Sequence, residues 1–108
     1  MNKYINCINY LISQKTNNIP HNNSNLFKHL INVYDKLRKW NCKEDLCYAG
    51  LFHSIYGNES FKFKTEENRE VIKKLIGKKS ESLVYLYNQD RNQNKELRII
   101  SLANELDQ

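Results

Sequence analysis

Two histidines and one aspartate, His29, His53 and Asp90, are the residues of this sequence best placed to do chemistry. His53 lies in the stretch Leu46–Tyr56, where Leu46, Cys47, Ala49, Leu51, Phe52 and Ile55 make a helix apolar nearly all round. Such a helix belongs at the centre of its fold. An imidazole there needs partners for its ring nitrogens, because burying an unpaired polar group costs about 1–3 kcal/mol. A hydrogen bond to a carbonyl or to a nearby tyrosine is one solution. A metal ion is the other. His29 sits beside Val33 and Trp40 at helical spacing, on the margin of an apolar stripe, and Asp90 falls at a helix end. Two imidazoles and one carboxylate leave coordination positions open for water or substrate. On spacing alone, hydrogen-bonded core histidines outweigh a metal site.

The elements that must position these residues are helices. Tyr4, Ile5, Ile8, Leu11 and Ile12 predict a first helix over Lys3–Ser13. A polar loop, Thr16–Asn25, carries Pro20 and His21, and Ser24 is the expected cap of the second helix. Leu26, Leu30, Val33 and Leu37 form the stripe of that helix. A third helix is expected from Lys43 to Tyr56, stopped by Gly57-Asn58. Thr65 is the expected cap of a fourth, Glu66–Ile76, closed by Gly77; a fifth spans Ser80–Asn88. The sixth, Lys95–Leu106, aligns Ile99, Leu102, Ala103 and Leu106. No segment alternates as a strand would. The expectation is an all-α bundle of five or six helices, one domain over residues 1–108.

Composition narrows the function classes. The 108 residues are 40% hydrophobic and 27% charged, too apolar for a disordered tail and too polar for a membrane protein. A chain this short buries about two-thirds of its unfolded surface, so a metal or a partner subunit, a second copy included, would add needed stability. The net charge of +5 comes from 17 basic and 12 acidic residues, but the basic residues are spread out. Lys73-Lys74 and Lys78-Lys79 are the longest basic runs. That pattern does not fit a nucleic-acid partner. The 16 asparagines read as base composition more than chemistry. Three cysteines, Cys7, Cys42 and Cys47, give neither a disulfide framework nor zinc-ligand spacing, and point to a reducing, cytoplasmic setting. No apolar run approaches the roughly 18 residues of a membrane span. Arg91, beside Asp90, could grip a phosphate with its planar fork or pair with a surface carboxylate. Arg69 and Glu81 read as an interior ion pair.

The segment H-L-I-N-V-Y-D-K-L-R-K-W from His29, followed by A-G-L-F-H-S-I-Y-G-N-E from Ala49, resembles the HD-domain superfamily of helical metal-dependent phosphohydrolases. It is similar in particular to an uncharacterised HD-like family with an AGLFHSxYG stretch, here Ala49–Gly57. His21, His29-Leu30, Arg69, Ile76-Gly77, Glu81, Leu83, Asp90-Arg91 and the terminal S-L-A-N-E-L-D-Q support that likeness. The likeness covers residues 21–108, leaving 1–20 as an N-terminal helix and loop. The order also resembles the hydrolase half of RelA/SpoT-type alarmone enzymes, whose manganese site removes a pyrophosphate from a guanosine nucleotide. By position His29 matches the first ligand, His53 the second and Asp90 the last. Ser54 stands where the HD signature has its aspartate, and Gly57 and Asn58 where the alarmone hydrolases have a Glu-Asp pair. A serine brings no charge to a hard cation, so manganese, iron or zinc is the expected metal.

The resemblance therefore implies a metal-dependent phosphohydrolase acting on a nucleotide or phosphate ester. Its metal ligands are His29, His53 and Asp90; Glu59 is the base and Arg91 the phosphate ligand. His21 is a further ligand candidate or an exposed loop histidine. A second reading is a degenerate HD-like domain that binds a nucleotide or a protein. A third is an HD-like iron oxygenase, although those carry more histidines.

Overall fold

A computed structural model of the chain describes residues 2–57 and 66–107. The elements are α1 (Lys3–Ser13), a 3-10 turn (Thr16–Asn18), β1 (Pro20–His21), β2 (Ser24–Asn25), α2 (Leu26–Lys39), α3 (Glu44–Leu51), α4 (Glu66–Ile76), α5 (Lys78–Gln89) and α6 (Lys95–Leu106). The fold is all-α. β1 and β2 are a two-residue antiparallel hairpin with Pro20 opposite Asn25 and His21 opposite Ser24. Among the described residues, no helix is long and apolar enough to cross a membrane.

Local signals set most boundaries. Asn2 caps α1, its Oδ1 accepting from the amides of Tyr4 and Ile5 at 2.8 and 3.2 Å. Asn25, not Ser24, caps α2 by accepting from Lys28 N at 2.9 Å. Ser24 is instead held in the hairpin as the partner of His21. Asn94 caps α6 by accepting from Leu97 N at 2.9 Å. Each side-chain oxygen satisfies an amide that the helix start leaves open. At the end of α2, Asn41 takes a left-handed conformation (φ 59°), and Cys42 N returns to Leu37 O. Lys36, Arg38 and Lys39 crowd that last turn, where the helix dipole favours positive charge. Gly77, at φ 93°, makes the corner between α4 and α5, and α5 starts directly after it, at Lys78. The expected Asn58 stop and Thr65 cap lie outside the described residues.

The core is built round α2 and α3. Leu26, Leu30, Val33 and Leu37 are at most 1% exposed and line the inner face of α2. Gly50 lets the two helices close: a Cβ there would overlap Leu37 Cδ1 and press on Val33. The third helix ends at Leu51, five residues before the expected Tyr56. From there the chain runs in tight turns, with Ile55 N bonded to Phe52 O and Gly57 N to Ser54 O. His53 explains the early stop. Its Nδ1 lies 2.7 Å from Gly50 O, a carbonyl the helix would otherwise use, and its own amide bends to the same oxygen at 3.3 Å. The turns still bury Phe52, Ile55 and Tyr56 at 0–1% exposure, so the apolar run does its packing without being helical.

Of the stripe expected on the sixth helix, Ala103 faces the core and Leu102 and Leu106 do not. Leu97, Ile100, Ser101 and Ala103 are buried, whereas Leu102 and Leu106 are 49% and 59% exposed. Following the buried stripe down the helix leads to Asn104 and Asp107.

A second polar group is fully interior. Glu81, 0% exposed, receives Arg69 Nε and Nη2 at 2.8 and 3.0 Å and the Tyr56 hydroxyl at 2.7 Å. The Arg69 guanidinium also lies 3.8 Å over the Tyr85 ring. Burial, and then the bond to Glu81, raise the Tyr56 pKa, so this hydroxyl stays a donor. The expected Arg69–Glu81 pair is thus a fork on one buried carboxylate that joins α4, α5 and the turns after α3. Glu81→Ala removes the shared acceptor from two donors and is expected to cost about 3–5 kcal/mol. Thermal unfolding should show a Tm fall of more than about 10 °C; a fall of only a few degrees would mean the pair does not hold these elements together.

Candidate functional site

Three imidazoles meet where α2, the β-hairpin and the turns after α3 come together. His29, on α2, is 3% exposed and His53 is 5% exposed. Their ring centres are 5.3 Å apart, edge to face at 71°. His21, on β1, lies over His29 with centres 4.1 Å apart. The hairpin brings this half-buried loop histidine inward, and its Nε2 is a buried atom without a hydrogen-bond partner.

The remaining partners come from α6. His29 Nδ1 is 2.7 Å from Asp107 Oδ2, and His29 Nε2 is 2.7 Å from Asn104 Oδ1. His53 Nε2 reaches the same Asn104 atom at 3.2 Å. Gly50 O can only accept, so His53 Nδ1 carries the proton and donates. Burial is the main force holding the His53 pKa down, to about 4, and the ring is neutral at neutral pH. Its Nε2 is therefore a bare lone pair. The carboxylate of Asp107 fixes His29 Nδ1 as a donor in the same way. The Nε2 atoms of His29 and His53 then face one amide head, that of Asn104. The pair is thus fixed by a carboxylate and a carbonyl behind it and turned to one point in front.

Next to this pair opens a cavity of about 480 Å³, lined by His21, His53, Ser54, Gly57, Tyr87, Asn88, Gln89, Asp90, Arg91 and Asn104. Arg91 sits at its exposed edge with the guanidinium 4.9 Å from the Tyr87 ring centre. Burial lowers the His21 pKa, and the neighbouring His29 lowers it further. A second cavity, about 260 Å³, is lined by His21 with Asn25, Lys28, His29 and Asp107.

His29 and His53 come together as neighbours. Asp90 lines the cavity but is exposed, and its Oδ1 accepts from Asn92 N at 3.0 Å in a turn. The carboxylate that meets His29 is Asp107. Arg91 reaches the cavity, as does Ser54. Glu59 lies outside the described residues. Cys7, Cys42 and Cys47 are free thiols, and burial raises Cys7 and Cys47 to about 11, which makes them poor nucleophiles. Asn104 and Asp107 escape a reading that follows apolar spacing on α6. The signal that finds them is the Leu97, Ile100, Asn104, Asp107 series, which keeps one helical face and turns polar at the level of the histidines.

Fold and site define an all-α domain with a histidine pair under a polar cavity. The chain belongs to the family described as Domain of unknown function (DUF6817), whose model matches residues 10–91, about three-quarters of it. No curated protein and no solved structure matches the chain. The family match takes in His21, His29, His53, Asp90 and Arg91 and stops short of Asn104 and Asp107.

The lowered His53 pKa has a measurable consequence for the metal-free protein. The unfolded chain takes up this proton below the ordinary value of 6.5, the folded chain only near 4. The stability contributed by the neutral ring is whole above pH 6.5 and is lost as pH falls towards 4, at up to about 1.4 kcal/mol per unit. Urea midpoints of wild type and His53→Gln in chelator should differ most at pH 7 and converge by pH 4.5. A gap that stays constant would show that His53 does not remain neutral in the fold.

Proposed function

We propose that this domain is an HD-like, metal-dependent hydrolase of a phosphate ester or nucleotide. The observation that carries the reading is the pair of Nε2 atoms of His29 and His53, directed at one point beside a polar cavity with an arginine at its edge. Metal-binding histidines characteristically have the other ring nitrogen tied to a carboxylate or carbonyl. Asp107 and Gly50 O are such ties. Among the described residues, no three His, Cys, Asp or Glu side chains stand ready around one ion. The donors present fit a cation that accepts imidazole, such as zinc, iron or manganese.

His29 and His53 would hold the cation, with Asp107 fixing the first ring and the Gly50 carbonyl the second. When bound, a divalent cation supplies Lewis-acid activation of water and of a phosphoryl oxygen. Arg91 would take the non-reacting phosphate oxygens with its fork, steadied on the Tyr87 ring. Asp90, at the cavity wall, would orient the substrate or complete the ligand set, and Glu59 would act as base.

A second reading, a degenerate HD-like domain that binds a nucleotide or a protein partner, is favoured by Ser54 at the HD aspartate position. It is favoured too by the amide of Asn104, where a carboxylate would face the two imidazoles. Phosphate release from a panel of nucleotides and phosphate esters, with manganese, iron or zinc added, separates the two. A hydrolase shows turnover that His53→Ala abolishes, and Arg91→Gln raises KM about tenfold, the cost of a charge-assisted hydrogen bond. Silence with every metal, combined with metal-independent nucleotide binding, selects the binder.

A further inference from the structure

We propose that Tyr87 and Asn88 are the specificity residues of the large cavity: they read the neutral, planar end of a ligand whose anionic end Arg91 holds, so the substrate class is nucleoside monophosphates. This rests on reading the cavity as a nucleotide or phosphate-ester site with Arg91 at the phosphate.

Tyr87, on α5, is 4% exposed and lines the cavity, and its hydroxyl is buried without a hydrogen-bond partner. A buried polar atom left unpaired is a costly state that a ligand would relieve. Burial is the main force raising the Tyr87 pKa, against the pull of Arg91 and of the nearby Ser101 hydroxyl, so the group stays protonated and can donate. Asn88 follows directly and lines the same cavity with Gly57. A Cβ on Gly57 would lie 2.5 Å from Asn88 Oδ1. Gly57 is outside the left-handed region, so its backbone conformation does not call for glycine. What calls for it is the Asn88 amide head that rests against it. Among the described residues that amide makes no hydrogen bond. It carries a donor and an acceptor side by side, the pattern that matches the edge of a base.

Charge is divided along the cavity in the same sense. Burial holds the His53 pKa at about 4 and disfavours charge on His21, so both rings are neutral at neutral pH. The charged lining residues, Asp90 and Arg91, are both exposed. Asp90 is engaged in its own turn with Asn92 N. Arg91 makes no ion pair among the described residues, and its guanidinium lies 4.9 Å from the Tyr87 ring centre. An unpaired guanidinium fork fits a phosphate bidentately. The rings of His21, His53 and Tyr87 are aromatic walls of the kind that bases pack against. The cavity volume of about 480 Å³ falls within the range of about 300–1,000 Å³ of small-molecule sites. A sugar phosphate would satisfy Arg91 but offers no planar edge to the Asn88 amide.

Calorimetry on the full chain tests this directly, with the monophosphates of adenosine, guanosine, cytidine and uridine, ribose 5-phosphate and inorganic phosphate as probes, each in chelator and again with Mn²⁺. At least one nucleoside monophosphate is expected to bind about tenfold tighter than ribose 5-phosphate. Tyr87→Phe and Asn88→Ala should each weaken that nucleotide about fivefold, the loss of one hydrogen bond, and leave ribose 5-phosphate unchanged. Gly57→Ala, which pushes the Asn88 head aside, should do the same. Arg91→Gln should weaken every phosphorylated probe. Tyr87→Phe should also leave the ligand-free Tm unchanged or raised, since its hydroxyl has no partner to lose. Circular dichroism confirms that each variant is folded. A fall in the Tyr87→Phe Tm shows a hydroxyl already bonded within the fold and overturns its part in recognition. Equal binding of nucleotides and ribose 5-phosphate, or nucleotide binding indifferent to Tyr87→Phe and Asn88→Ala, overturns the inference and leaves the proposed function standing. Absence of binding by every probe, with Mn²⁺ and without, overturns both.

Discussion

Two imidazoles can share one buried corner only if all four ring nitrogens are provided for. That constraint organises this molecule. The Gly50 carbonyl takes the proton of His53 Nδ1, Asp107 takes that of His29 Nδ1, and both Nε2 atoms are left facing forward onto Asn104. The choice of tautomer is forced from behind, because a carbonyl and a carboxylate accept and do not donate. Hence the direction of the lone pairs is a property of the fold and not of the side chains alone.

The consequences reach two helices. His53 stops α3 at Leu51 by drawing on the Gly50 carbonyl, and the turns that follow carry two polar side chains three residues apart. His53 reaches α6, while Tyr56 reaches the Arg69–Glu81 fork on α4 and α5. One short run of turns thus ties the fold to both of its interior polar networks. The orientation of α6 follows from the same requirement. Leu102 and Leu106 are left to solvent beside Arg98 and Glu105, while Leu97, Ile100 and Ala103 pack inward and Asn104 and Asp107 meet the histidines.

Membership of the DUF6817 family and an all-α fold define the scaffold, and the histidine pair gives it a chemical focus. The proposed HD-like reading draws on His29 and His53, which the geometry brings together, and not on the carboxylates it expected. Ser54 stands at the HD aspartate position, Asp90 is turned outward into a local loop, and Asp107 stands behind His29. A site left with nitrogen donors in front and an acid behind is biased away from magnesium-type chemistry. On the proposed reading, Arg91 at the cavity edge would attract an anionic substrate.

The sequence by itself determined the helical class, the bounds of α1, α4 and α6, the core stripe of α2 and the central place of His53. Those features rest on periodicity and on residues close together in the chain, where neighbours decide the outcome. Arg69 and Glu81 were legible because their types, a fork and a carboxylate, pair wherever helices bring them inside. The end of α3, the face α6 turns inward, the burial of His21 and the partnership of His29 with Asp107 were decided only by tertiary structure. The face α6 turns inward and the partnership of His29 with Asp107 depend on polar atoms satisfied across a wide gap in sequence, 78 residues for His29 and Asp107. Apolar spacing carries no information about which distant amide or carboxylate will meet a buried ring. Packing brings the candidates together, and the cost of an unpaired nitrogen then selects among them.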